Sequence, residues 1–307
     1  MSHTVFQDLI QEFQAEGRRI ASCKAARARE IEERIQGLLG EGLLDRNVHG
    51  KYFGDMRFQA PASFAAHASL LVVATPHHRS VLVLDLPGGA FEATVPVTYL
   101  ADRVKALNEQ IIRAALQGRA FEPAILPLKT LAACAGLGAY GKDNVLRVDG
   151  MGSYARLDAW WVDADLGESG WGPPRTLERC AICGACLRAC PTACFREEAF
   201  VMDASRCVTF LNEGSGGFPA WLPASAHSAA IGCLRCQEAC PENAPLRRGV
   251  ERRYVFDRRT SQALLEGKPA ASLEPAAAEL IRLLELEGQE EKLARNLAAL
   301  QTLQARP

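Results

Sequence analysis

Thiols carry the chemistry of this sequence. "CAICGACLRACP" sets out Cys180, Cys183, Cys186 and Cys190 ahead of Pro191, a Cys-x2-Cys-x2-Cys-x3-Cys-Pro run. This is the bacterial ferredoxin run, whose fourth cysteine serves the other cluster of a pair. The cause is geometric. A tight loop presents three thiolates to one cubane but cannot wrap round to the fourth corner, so one run calls for a second. The second is "AAIGCLRCQEACP", with Cys233, Cys236 and Cys240 before Pro241, but three positions ahead of Cys233 stands Ala230. One [4Fe-4S] cluster then takes Cys180, Cys183, Cys186 and Cys240. The other takes Cys190, Cys233, Cys236 and a thiol from outside the runs. Cys207, in "DASRCVTF", is the candidate, and the 25 residues between it and Cys233 become an insertion. Cys194 is the rival, disfavoured because the chain is expected to turn away after Pro191. Paired zinc knots are the competing metal reading. They use x2 and x4 pairs in fours, and two coupled runs ending Cys-x3-Cys-Pro are more specific to clusters. Cys23, Cys134 and Cys194 read as plain buried thiols. Two cubanes, each carrying one electron, make a relay and imply a low-potential electron donor as partner.

The elements that must position these sulfurs fall before and after them. Residues 4–18 and 25–44 have helical periodicity, with Phe6, Leu9, Ile10 and Phe13 on one face. "SLLVVA" and "SVLVLDL" predict strands at 69–74 and 80–86, with a turn at Gly88-Gly89. An amphipathic helix is expected over 98–117 and another over 126–135. "NVLRV" and "ARLDAWWVDADL" read as strands, with Trp160 and Trp161 straddling core and surface. Helices and strands alternate through 1–170, which predicts a mixed α/β domain. After the linker-like "GESGWGPP", residues 175–250 are cysteine-rich and poor in long periodic elements, so metal is the expected staple. Residues 260–304 return to helix.

Bulk properties exclude several classes. With 307 residues, 48% hydrophobic and 23% charged, the chain is an ordinary globular one. Its net charge of −1 gives no global field toward nucleic acid or membrane. No apolar run approaches the ~20 residues of a membrane span, and the N-terminus lacks a signal-peptide core. A cytoplasmic protein is expected, and in a reducing compartment clustered cysteines point to metal rather than disulfides.

At these motifs the chain resembles the epoxyqueuosine reductase family, which is related to the reductive dehalogenases. "MDASRCVTFL" matches the segment around that family's lone cysteine. "GCLRCQEACPEN" is similar to its second run, and "LAACAGLGAYGK" to its glycine segment. "GMGSYARLDAWWVD" and, loosely, "FAAHASLLVVATP" extend the likeness to about residues 60–245. The resemblance implies an α+β protein: a nitroreductase-like α/β domain at 1–170 holding cobalamin, a ferredoxin-like two-[4Fe-4S] domain at 171–250, and a short helical C-terminus at 251–307. It supports Cys207 as the eighth ligand. It also implies a reductase in which the clusters feed a cobalamin that reduces a bound organic substrate.

By the same resemblance the glycine segment, with Gly136, Gly138, Tyr140, Gly141 and Lys142, is the expected cofactor-binding stretch. Glu122 stands where the family places an aspartate proton donor. Two departures are plain. Asp143 replaces the histidine usual after the lysine, and the helical repeats that help grip tRNA in many members are cut to about 60 residues, too few for a stack. Arginines at 247, 248, 252, 253, 258 and 259, in "RRGVERRYVFDRR", offer phosphate contacts for tRNA. A solvated run paired to local acids is the plainer reading. His77 and His78, in "TPHH", lie at a strand end as a surface turn or as ligand donors. An electron carrier, and a corrinoid-handling accessory protein without its own substrate, stand beside the enzyme.

Overall fold

The computed structural model describes residues 2–77, 79–97, 99, 101–196, 201–246 and 252–304. The chain divides into two compact units. One holds residues 1–76 and 104–184 with 198–201; the other holds 77–103, 185–197 and 202–307. This division is not sequential, so it does not coincide with the three consecutive domains expected above.

The first unit is built on a four-stranded antiparallel sheet. Its strands are β1 (Arg19–Lys24), β2 (Ser69–Pro76), β8 (Ala155–Val162) and β5 (Phe121–Pro123), in that order across the sheet. Side chains alternate along a strand with period two, and here both faces are covered. Leu70, Val72 and Ala74 enter one core with Ile31 and Ile35 of helix α2 (Ala28–Gly40) and Leu131 of α5 (Leu128–Cys134). Leu71 and Val73 enter the other with Leu9 and Phe13 of α1 (Ser2–Ala15) and Ile112 and Leu116 of α4 (Ala101–Leu116). A strand covered on both faces needs an unbroken apolar run rather than alternation, which is why 69–74 reads as it does. The same period splits the tryptophans. Trp160 is buried in one core and Trp161 in the other, so neither straddles core and surface.

A two-stranded ribbon, β6 (Gly138–Tyr140) with β7 (Leu146–Val148), carries the glycine segment. Short helix α3 (Arg46–Phe53) is capped by Asp45, which accepts from the Asn47 and Val48 amides at 2.8 and 3.0 Å.

The second unit has a three-stranded sheet. The hairpin of β3 (Ser80–Leu86) and β4 (Gly89–Val95) turns through Gly88 and Gly89, whose φ of 106° and 130° suit glycine. Strand β9 (Arg252–Phe256) then adds in parallel to β3. Leu82, Leu84, Phe91 and Phe256 share a core with α10 (Arg258–Leu265), α11 (Pro275–Leu283) and α12 (Glu290–Gln304). Strands β1, β4 and β9 and helix α3 were not among the elements expected. Among the described residues no helix is long and apolar enough to cross a membrane.

Candidate metal centre

The cysteine runs fold as short helices set between sulfurs. In the first unit, α6 (Cys180–Cys183) is one turn closed by Gly184 at φ 61°. In the second, α7 (Ala185–Ala189) carries Cys186 and ends at Cys190. Helix α9 (Arg235–Ala239) carries Cys236 and ends at Cys240, and α7 packs on α9. The two halves of the pattern thus repeat each other: helix, cysteine, proline. All eleven cysteines are free of disulfides. Among the described residues no three His, Cys, Asp or Glu side chains converge on a single-ion site; cubane thiolates occupy separate corners instead.

Cys207 is the N-cap residue of helix α8 (Val208–Asn212), its sulfur near the Thr209 and Phe210 amides. Ser228 Oγ lies 3.7 Å from Cys233 Sγ. Ala230, at the position of the missing cysteine, is fully buried in the apolar core with Ile231 and donates its amide to Thr94 O at 2.7 Å. A cysteine there would lie in hydrocarbon, so the eighth sulfur has to come from elsewhere.

Cys194 corrects an expectation. The chain does not turn away after Pro191. Cys194 Sγ is 3.5 Å from Cys190 Sγ and within hydrogen-bond reach of Cys207. Those two neighbours, with burial added, push the Cys194 thiol far up. In return Cys194, helped by the Thr192 hydroxyl, pulls Cys190 down to about 5 against the cost of burial. Cys207 is lowered too, first by Cys194 and then by the two helix amides, while burial raises Cys233. Metal ligation needs the thiolate, and Cys190 and Cys207 are the members of this trio whose surroundings favour it. Cys23 and Cys134 are buried thiols raised by burial, as expected of structural cysteines.

The glycine segment is explained from inside the chain. A Cβ on Gly138 would strike the Arg147 carbonyl, and one on Gly141 would strike the Arg147 guanidinium and the Asp143 carboxylate. Gly136 sits at φ 79°. Arg147 and Asp143 form a buried two-pronged ion pair, Nη1 to Oδ1 and Nη2 to Oδ2, the second at 2.7 Å. Sequence reading noted Asp143 only as a departure and missed Arg147; the signal was the Asp-x3-Arg spacing across a tight ribbon. The Tyr140 ring is in the core, with its hydroxyl 3.1 Å from Thr130 Oγ1, and burial raises it to about 12. Lys142 Nζ donates to Ala181 O at 3.3 Å, within the first cysteine loop. The Tyr140 amide donates to Arg175 O and the Leu177 amide to Tyr140 O, tying the same ribbon to the approach to Cys180.

Glu122 is exposed on edge strand β5. His77 is buried, its Nε2 2.6 Å from Tyr99 O, so it is not a surface turn; His78 lies outside the described residues. Of the arginines, Arg253 pairs with Glu92, Arg258 with Asp85 at 3.1 Å and Arg259 with Glu274 at 3.0 Å. Arg252 is exposed, and Arg247 and Arg248 lie outside the described residues.

Comparison with known proteins points to one family. Residues 179–243 match the 4Fe-4S double cluster binding domain family. The epoxyqueuosine reductase of Pseudomonas aeruginosa is 31% identical over 225 residues, covering 66% of this chain. Over that stretch this chain is similar to the epoxyqueuosine reductases. It spans 61% of that relative's length. The fold agrees. The epoxyqueuosine reductase of Streptococcus thermophilus superposes with a TM-score of 0.63 at 18% identity, over 98% of this chain and 82% of that one. An epoxyqueuosine reductase crystallised with an epoxyqueuosine-modified tRNA stem loop gives 0.67 at 15%, over 97% and 81%. This chain therefore has the fold of those structures and a segment similar to the double-cluster type.

Proposed function

We propose that this chain is an iron–sulfur oxidoreductase that passes single electrons through two [4Fe-4S] clusters to the reduction of a bound organic substrate. The ligands are Cys180, Cys183, Cys186 and Cys240 for one cluster, and Cys190, Cys207, Cys233 and Cys236 for the other. The observation that carries this is the doubled cysteine pattern within the double-cluster match, with its two helices packed together. The donor set suits the group: eight thiols, none in a disulfide. A bound cubane accepts and releases one electron. The protein's part is to hold the thiolates, to fix them by short helices, and to keep Cys240 away from water. A low-potential donor supplies the electrons, and a reduction needing two takes them in separate passages.

Cobalamin enters by resemblance only. The residues assigned to it, from Gly136 to Lys142, are engaged by the chain itself: Arg147 fills the space at Gly138 and Gly141, Tyr140 is in the core, and Lys142 holds Ala181. They do not present an open cradle. The role of Glu122 as proton donor likewise rests on the resemblance alone.

The filled glycine segment favours one second reading, an electron carrier whose α/β unit has no substrate of its own. The tRNA stem loop belongs to a structural neighbour. Here Arg253, Arg258 and Arg259 are already paired to acids, so a tRNA stem loop is one substrate candidate beside smaller ones.

One series of measurements separates these readings. Anaerobically reconstituted protein is expected to hold eight irons, and zinc or four irons overturns the relay. Incubation with cobalamin followed by gel filtration and a visible spectrum then tests cofactor retention; none leaves the carrier. Turnover of tRNA bearing epoxyqueuosine tests the enzyme, and retained cobalamin without turnover moves the search to other substrates.

A further inference from the structure

The insertion between Cys207 and Cys233 is tied at both ends by a buried amide lattice. Asn212, the last residue of α8, donates from Nδ2 to Gly232 O at 2.8 Å, the carbonyl just before Cys233. Asn296 of α12 donates from Nδ2 to Asn212 O at 3.1 Å and to Ala230 O at 2.9 Å. Both side chains are 0% exposed. Arg295 closes the same turn, donating to Leu211 O and Asn212 O at 3.0 Å each and stacking on Phe218 at 4.2 Å.

Two further observations show that this lattice is held under constraint. Gly232 sits at φ 63°, where a Cβ would meet Pro96 Cγ at 2.8 Å. Asn212 Oδ1 is buried and accepts no hydrogen bond among the described residues. A buried orphan oxygen costs about 1–3 kcal/mol, and such groups in native folds call for an explanation beyond packing.

We propose that Asn212 and Asn296 are positioning residues for the cluster of Cys190, Cys207, Cys233 and Cys236. They fix the spacing between the chain leaving Cys207 and the chain entering Cys233, which makes the C-terminal helix α12 part of that cluster's mount. The inference rests on the ligand reading above. Groups that hold metal ligands in place, without touching the metal, typically change affinity by about ten- to a hundred-fold when removed.

The test compares wild type, Asn296→Ala and Asn296→Ser, reconstituted anaerobically as full chains, by iron content, electron paramagnetic resonance, potentiometric titration and iron loss to a chelator. In Asn296→Ala one cluster signal should change its g-values and potential and lose iron about ten-fold faster, while the other stays as in wild type. Asn296→Ser keeps one donor and should fall between. An equal effect on both clusters, or a lowered melting temperature with both signals untouched, overturns the proposal. A wild type with only four irons overturns the ligand reading first, whatever Asn296 does. Should Asn296→Ala fail to fold, Asn296→Ser carries the same comparison, and unchanged signals there overturn it.

Discussion

The sheet of the first unit and the cysteine-bearing helices hold their shape by different means. Strand β2 has neighbours on both faces, and seven of its eight residues are buried. Helices α6, α7 and α9 have four or five residues each and bury no residue. A helix that short is not stable by itself. One region is fixed by apolar burial spread over many side chains, the other by a few sulfurs and a few amide bonds. The contrast predicts that the two should fail separately and under different insults.

The largest effect should come from stripping the clusters with a chelator under oxidation. Residues 185–246 should become open to limited proteolysis while the first-unit sheet, reported by buried Trp160 fluorescence, persists; joint loss would erase the distinction. Next, Cys207→Ala should halve the iron from eight to four, while Cys194→Ala keeps eight. If the two results swap, Cys194 is the ligand, and its place beside Cys190 and Cys207 means ligation. Within the first unit, Asp143→Ala strands the Arg147 charge and should cost about 3–5 kcal/mol in urea denaturation. The double change to Asp143→Ala with Arg147→Met should recover most of it. Leu71→Ala opens a cavity in one core and should cost about 2–5 kcal/mol without altering iron content. Smallest of all, Arg259→Ala breaks an exposed pair with Glu274 and should move stability by no more than about 0.5 kcal/mol.

The same contrast explains what could be read in advance. The double-cluster segment was legible because its cysteine spacing is local: three or four residues decide which sulfurs share a loop. Strand β2 was legible because its burial is written as a continuous run. Strand β1, "RIASCK", has no such run; it becomes a strand by lying along β2, from Arg19 opposite Ala74 to Lys24 opposite Ser69. Strand β9, "RRYVF", is too short to announce itself and is placed by parallel pairing with β3, far back in the chain. Neither signal is contained in a short window. The closeness of Cys194 to Cys190 and Cys207 was misjudged for the same reason, because it depends on how the chain returns from Pro191 to Cys207. At Gly138 and Gly141 the chemistry was visible but the partner was not. A glycine announces that something comes near, and only the fold shows that it is Arg147.

The parallel seam between β3 and β9 has a consequence for biosynthesis. Most of the first unit's sheet has left the ribosome once residue 162 is made. The second unit needs residues 252–256 to complete its sheet and Leu293, Leu297 and Leu300 to close its core. Loading of iron and sulfide into a finished mount is therefore a late event, and the nascent cysteines must wait, reduced, for the helix that braces them.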